Sequence, residues 1–207
     1  MRHADYLDMS DRDDDDSSNQ AVYSARSKRL FYLYGDVNAK NCADIAFDIH
    51  YINLEDDEAD DKEKDFKRKP IRLFINSFGG SVYAMWMLID TIRSSKTPVY
   101  TICTGYAMSA AFQIFLAGNK RYISPHATLM YHQIYCWRSG KYQDLVDDRE
   151  HMDLLNKQIE DYVIERTNLT PETLELIRTK KKDTYFTSSE AIEGGLADEI
   201  LELSEGK

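Results

Sequence analysis

Strand-like and helix-like segments alternate along this chain, and this alternation limits its fold more than any other feature. Residues 71–76 form a short apolar run typical of a buried strand, and residues 82–93 follow with apolar side chains on one helical face. Residues 98–103 predict a second buried strand, after which a turn at Gly105 leads into a predicted helix from Ser109. The pattern predicts an α/β fold with a largely parallel sheet.

Flanking segments extend the same pattern. Further strands are predicted at residues 30–37, 121–124 and 127–131, and further helices at residues 41–53, 142–166 and 171–180. Thr170 supplies an N-cap and Pro171 a first-turn proline for the last of these helices. The first strand is expected to end at a turn formed by Gly35 and Asp36.

Two charged segments indicate how the chain is organised. Residues 1–27 are polar and contain four consecutive aspartates, which predicts a flexible acidic N-terminal arm. Residues 28–207 are predicted to form one domain. Within it, residues 55–69 hold eight acids and five bases, which predicts a solvated loop or an extension of the preceding helix.

Composition excludes several classes of function. The net charge of −10 over 207 residues opposes a general nucleic-acid-binding role, because that role needs a basic face. Cys42, Cys103 and Cys136 are odd in number and lack zinc-site spacing, which predicts a reducing compartment and no metal. Residues 99–118 are the most apolar stretch, but polar residues interrupt it, and the N-terminus shows no secretory signal. We therefore expect a cytoplasmic protein with no membrane or nucleic-acid partner.

Five residues have the chemistry that acyl transfer to water requires. Ser109 follows a strand and a glycine turn, at the start of a helix whose terminal amides favour negative charge. His132 ends a predicted strand, and an imidazole suits general-base catalysis at neutral pH. Asp183 is a carboxylate that can orient this imidazole. Gly79 and Gly80 allow backbone amides to approach a reacting carbonyl.

Each of these residues also has a structural interpretation. Judged from its own segment, Ser109 is more typical of a helix N-cap or a small packing residue. A lone histidine such as His132 is usually structural, and Asp183 follows three lysines as a solvated acid would. The two glycines alone are typical of an ordinary turn between a strand and a helix.

Taken in order, these segments resemble the proteolytic subunit of the Clp protease, a self-compartmentalised serine peptidase. The resemblance runs from about Arg29 to Leu201. Residues 29–37 are similar to the family's first strand, and residues 189–198 to its last helix and turn. Between them lie four segments that are similar to the family around the glycine turn, the serine, the histidine and the aspartate, namely residues 75–82, 105–111, 129–133 and 182–186. No single motif is specific, but six matches in the same order are.

The resemblance implies a fold and a set of site residues. The fold would be a spiral of repeated β-β-α units, as in crotonases, with a protruding handle of one strand and one long helix at residues 134–167. Residues 28–207 would be the peptidase domain, and residues 55–69 a charged insertion in it. The implied site residues are Ser109, His132 and Asp183 as the catalytic triad, Gly80 and Ala110 as the oxyanion hole, and Gly79 as the supporting turn.

The resemblance also implies an activity and partners. It implies an ATP-dependent-type serine endopeptidase that hydrolyses unfolded polypeptides inside an oligomeric barrel. Subunits would associate into heptameric rings stacked in pairs, and an AAA+ unfoldase ATPase would supply the substrates. No metal or other cofactor is implied for the peptidase subunit.

The chain departs from the family pattern at four places. Phe78 and Ile134 each replace a proline, and Lys181-Lys182 replaces an acid–arginine pair that bridges the rings in relatives. Phe112 is bulkier than the family's residue near the nucleophile, and we expect it to alter the specificity pocket or the first helical turn. Lys181 is expected to weaken the usual contact between rings.

Two alternatives stay open. The first is a non-catalytic or latent scaffold subunit of a Clp-like barrel, although all three triad residues are present. The second is an acyl-CoA enzyme of the crotonase type, although residues 77–90 contain none of the glutamates on which such enzymes rely.

Overall fold

A largely parallel sheet organises the protein. The computed structural model describes residues 26–135, 139–180 and 183–202. Within them the strands are β1 (Leu30–Val37), β2 (Ile71–Gly80), β3 (Val99–Met108), β4 (Lys120–Ile123), β5 (Thr128–Tyr131), β6 (Thr184–Phe186) and β7 (Glu199–Ile200). The helices are α1 (Ala39–Lys62), α2 (Val82–Ser94), α3 (Ala110–Leu116), α4 (Tyr142–Arg166), α5 (Pro171–Lys180) and α6 (Ser188–Glu193). The predicted α/β fold is confirmed.

The long strand β3 divides the sheet into two parts. Its first half pairs with β4 at residues 100–103, and its second half pairs with β5 at residues 106–108, both in parallel. The main path runs β1-β2-β3-β4-β7, and all of its pairs are parallel. The strand β6 then pairs with β5 in antiparallel orientation. The ends of β3, β5 and β6 are thereby brought together.

Apolar helix faces cover this sheet. Every residue of α3 is buried, and α2 buries Met85, Leu88, Ile89 and Ile92 at the helical spacing expected from the sequence. The side chains Leu73 and Ile75 of β2 and Val99 of β3 are fully buried beneath them. In the described part of the chain, no helix combines the length and apolar character that crossing a membrane requires.

Several elements are longer than the sequence predicted. The helix α1 continues to Lys62 instead of ending near residue 53, and Asp56 in the added turns is buried and hydrogen-bonded to Arg29 and Thr97. It therefore takes up the first half of the charged segment 55–69, as one of the two predicted options. The turn at Gly35 and Asp36 does not end β1, because the strand continues past an irregularity in pairing at Gly35, where φ is 81°.

Other predicted features are only partly described. The handle helix is present as α4, but Ile134, Tyr135, Ser139 and Gly140 are not in a strand, and residues 136–138 lie outside the described residues. Residues 1–25 of the predicted arm at 1–27, together with Cys136 and Lys181-Lys182, also lie outside them. Their expected roles stay predictions.

Candidate active site

Ser109 occupies a strained one-residue turn between a strand and a helix. The strand β3 ends at Met108 and α3 begins at Ala110, so Ser109 alone turns the chain. Its φ of 53° and ψ of −125° lie where residues other than glycine are seldom found. The N–H of Ser109 donates to the carbonyl of Met130 at 3.0 Å, which ties the turn to β5. The side chain is not used as a cap, so its hydroxyl is available.

His132 reaches Ser109 because of the strand register. Met108 of β3 pairs with Met130 of β5, and parallel neighbours present their carboxyl ends at the same edge of a sheet. Ser109 and His132 come directly after these ends. The distance between Ser109 Oγ and His132 Nε2 is 2.7 Å, which is a hydrogen bond. The imidazole side chain is 24% exposed, so its position is fixed by packing but is reachable from solvent.

Asp183 lies on the other side of the imidazole. Thr184 of β6 pairs with Tyr131 of β5, so the residue before β6 falls opposite the residue after β5. The distance between His132 Nδ1 and Asp183 Oδ1 is 3.8 Å, which permits an electrostatic interaction but exceeds a hydrogen bond. The carboxylate is 55% exposed. The structure thus brings all three predicted residues together, with the third contact incomplete.

The backbone at Gly79 and Gly80 requires glycine. Their φ angles are 104° and 149°, in a region that L side chains rarely adopt. A Cβ at Gly79 would lie 2.8 Å from Ser109 Cβ and 2.9 Å from the amide nitrogen of Ala110. A Cβ at Gly80 would lie 2.3 Å from the carbonyl oxygen of Val37. Because Ala110 is the first residue of α3, its N–H has no partner within the helix.

A pocket of about 280 Å³ opens beside Ser109 and His132. Most of its wall is apolar and comes from α2, β5, α4 and the segment after β5. The lining residues are Phe78, Gly80, Val82, Met85, Ser109, Ala110, Gln113, Met130, His132, Gln133, Ile134, Tyr135 and Ile159. A larger cavity of about 830 Å³ lies between α4 and α5, is lined mainly by charged side chains, and does not include Ser109.

Two of the four departures from the family pattern border this pocket. Phe78 is 66% exposed at its edge and contacts Tyr106, with ring centroids 4.2 Å apart, and Ile134 is part of its wall. The expectation for Phe112 is wrong at the pocket, because this side chain is fully buried between Tyr131 and Phe186 and is not part of the lining. The next residue, Gln113, lines the pocket instead, and the sequence reasoning missed it. A polar residue in the apolar run of α3 was the signal that pointed to it.

Cysteine nucleophiles are disfavoured in the described part of the chain. Burial raises the pKa of Cys42 to about 11 and that of Cys103 to about 12, so both thiols stay protonated and inert at neutral pH. Neither lines the pocket. No cluster of His, Cys, Asp or Glu among the described residues is arranged to hold a metal ion.

Comparison with known proteins adds the family. A sequence profile described as Clp protease matches residues 14–204. This chain belongs to the Clp protease family. It is 34% identical over 135 residues to ATP-dependent Clp protease proteolytic subunit 1 of Shouchella clausii, which covers 64% of this chain and 69% of that protein. It is 34% identical over 137 residues to proteolytic subunit 3 of Streptomyces coelicolor, which covers 65% of this chain and 62% of that protein.

The family match supports a peptidase of the Clp type. It also agrees with the mixed α/β architecture and parallel sheet described above. The matched region spans 69% of the length of the first relative and 62%, less than two thirds, of the second.

Proposed function

We propose that this protein is a serine endopeptidase subunit in which Ser109 is the nucleophile. The observation that carries the proposal is the 2.7 Å hydrogen bond between Ser109 Oγ and His132 Nε2 at the edge of a pocket. A serine hydroxyl is a weak nucleophile until a base accepts its proton. His132 is placed to be that base.

The proposed reaction has two stages. Ser109 Oγ attacks the carbonyl carbon of the scissile peptide bond while its proton passes to His132 Nε2. The N–H groups of Gly80 and Ala110 stabilise the oxyanion, and His132 then gives the proton to the leaving amine as the C–N bond breaks. The resulting acyl-enzyme is hydrolysed by a water molecule that loses its proton to the same nitrogen. His132 then returns that proton to Ser109 Oγ as the ester C–O bond breaks, so the product acid leaves and the free serine is restored.

Asp183 is proposed to hold the imidazole in the required tautomer and to stabilise the imidazolium. At 3.8 Å from Nδ1 it acts through its charge. Catalytic hydrogen bonds are often long before substrate is bound and shorten in the reactive complex. We propose that the exposed carboxylate moves toward His132 when substrate or neighbouring subunits order the site.

We further propose that the subunit assembles into heptameric rings stacked in pairs and works with an AAA+ unfoldase ATPase. The matched relatives are named as ATP-dependent Clp protease proteolytic subunits, which supports this assignment. Large exposed aromatic side chains support this assembly, because extended exposed apolar surface commonly marks a contact with another protein. Tyr32 is 48% exposed, Tyr34 52% and Phe47 69%.

A latent subunit is the second candidate. The 3.8 Å separation between His132 Nδ1 and Asp183 Oδ1 favours it, because this contact is not yet a hydrogen bond. In that case the same residues are present, but the site is inactive until a partner completes it.

A fluorescent serine-directed phosphonate tests the proposal. We expect the assembled wild type to be labelled, Ser109→Ala to be unlabelled, and Ser94→Ala to be labelled normally, because Ser94 lies at the far end of α2 and its hydroxyl donates to carbonyls of its own helix. Hydrolysis of short unstructured peptides should fall by at least about 10³-fold in Ser109→Ala. Absence of both labelling and hydrolysis in the assembled wild type would contradict an active peptidase and support the latent subunit.

A further inference from the structure

Gln113 has a buried polar group without a visible partner. The residue is 3% exposed, and its side-chain oxygen Oε1 has no hydrogen bond among the residues that the structure describes. Buried polar atoms are nearly always hydrogen-bonded, because leaving one unpaired is unfavourable. An unpaired polar atom at the wall of a pocket is expected where a bound ligand supplies the missing hydrogen bond.

The position of Gln113 relative to the nucleophile is fixed by α3. Gln113 is four residues after Ser109, and its N–H donates to the carbonyl of Ser109 at 3.3 Å. Residues four apart lie on the same helical face, and side chains lean toward the preceding turn. The backbone carbonyl of Gln113 also accepts a hydrogen bond from the hydroxyl of Tyr162 at 3.2 Å. These two bonds fix the backbone of Gln113, and Gln113 lines the same pocket as Ser109.

Among the residues that the structure describes, the wall of the pocket around Gln113 is mainly apolar and includes no carboxylate. Val82, Met85, Met130 and Ile159 all contribute apolar side chains to the wall. The other polar side chains among its described lining residues belong to Ser109 and His132, which react, and to Gln133 and Tyr135 in the more exposed segment after β5. An ammonium or guanidinium group would lose its hydration there without gaining a counter-charge. The wall suits a long neutral side chain with one hydrogen-bond donor.

We propose that Gln113 is a specificity-determining residue that selects substrates with a neutral donor-bearing side chain, such as glutamine, before the scissile bond. This inference rests on the proposed peptidase function. The substrate residue whose carbonyl is attacked by Ser109 places its side chain in the adjacent pocket. Its terminal N–H then donates to Oε1 of Gln113. A purely apolar side chain fills the same space but leaves Oε1 unpaired.

A matched pair of fluorogenic peptides tests this selection. The two peptides differ only in having glutamine or methionine before the cleaved bond, since both side chains are unbranched and similar in length. We expect the wild type to prefer the glutamine peptide in kcat/KM, and we expect Gln113→Met to lower that preference by about tenfold. Gln158→Met is the control, because Gln158 is exposed on α4 and does not line this pocket.

Labelling by a simple alkyl phosphonate, which has no recognition side chain, reports separately on Ser109. Normal labelling of Gln113→Met together with a lowered glutamine preference supports the inference. An unchanged preference in a normally labelled Gln113→Met, or a wild type that cleaves both peptides equally, overturns it and leaves the peptidase proposal standing. A wild type with neither labelling nor hydrolysis overturns both.

Discussion

Two aspartates in this protein face a basic partner in opposite ways. Asp56 in α1 has a side chain that is 2% exposed, and Arg29 donates to both of its oxygens, at 2.8 Å and 2.5 Å. The hydroxyl of Thr97 donates to one of these oxygens at 2.6 Å. Asp183 beside His132 is 55% exposed, and its nearest oxygen is 3.8 Å from the imidazole. The carboxylate of Asp56 is hydrogen-bonded to both of its partners, whereas the carboxylate of Asp183 lies beyond hydrogen-bond distance of His132.

The difference separates a structural ion pair from a candidate catalytic one. Burial by itself raises the pKa of Asp56, but the hydrogen bonds from Arg29 and Thr97 outweigh it and hold the pKa below its ordinary value. That carboxylate in α1 is bonded to the residue before β1 and to the segment before β3, and it is not free to move. Asp183 keeps contact with water and has room to move. A group that responds to charge forming on His132 needs that freedom.

The first prediction concerns Asp183 and has the largest expected effect. Asp183→Asn should lower kcat/KM for a short peptide by roughly 10²–10⁴-fold, because an amide neither stabilises the imidazolium nor fixes its tautomer. The free energy of unfolding should change by less than about 0.5 kcal/mol, since the side chain is exposed. Peptide hydrolysis and chemical denaturation measure the two quantities.

Asp161→Asn is the matched control for Asp183. Its side chain is 61% exposed on α4 and pairs with Lys157 at 2.7 Å, so it has similar exposure and an ion pair of its own. It should change kcat/KM by less than about twofold. Equal activity of Asp183→Asn and wild type would remove Asp183 from the mechanism and reduce the site to Ser109 and His132.

The second prediction concerns Asp56, whose substitution should lower stability and leave activity unchanged, the opposite of Asp183→Asn. Asp56→Asn should lower the free energy of unfolding by about 3 kcal/mol, because it leaves the partly buried guanidinium of Arg29 without its counter-charge. Activity per folded molecule should be unchanged, since Asp56 does not line the pocket. Asp61→Asn, an exposed change of the same charge on the same helix, should be nearly neutral. Equal stability of Asp56→Asn and wild type would contradict a structural role for the pair.

These two carboxylates also show what local patterns in the sequence reveal. The order of strands and helices followed from hydrophobic periodicity. Ser109 and His132 were identified because their segments match the family's motifs in order, since each alone is more typical of a structural residue. Asp56 was hidden in a run of charges that predicted a solvated surface. Its partners Arg29 and Thr97 are 27 and 41 residues away, so only tertiary packing brings them together. The pairing of Tyr131 with Thr184, which sets the distance to Asp183, is also non-local.

The pocket also depends on tertiary packing that local sequence patterns do not reveal. Phe112 attracted attention because it is large, yet helix geometry turns it into the core and turns its polar neighbour Gln113 to the pocket. A seven-residue helix that is buried all round has no polar face from which to read this orientation. The lining of a pocket depends on which helix face meets which strand, and sequence spacing alone does not give that.

The last and smallest expected effect is a pH dependence of the stability that Asp56 contributes. In the unfolded chain the pKa of an aspartate is about 3.9, whereas in the folded protein the pKa of Asp56 is lower. The stability that the ionised group contributes is therefore fully present above about pH 4 and is lost as the pH falls through the folded value. The stability gap between wild type and Asp56→Asn should stay constant from about pH 7 to pH 5 and narrow below about pH 4. Denaturation curves of both proteins across this range measure the gap, and a gap that stayed constant down to about pH 2.5 would show that the ionised state of Asp56 is not what stabilises the fold.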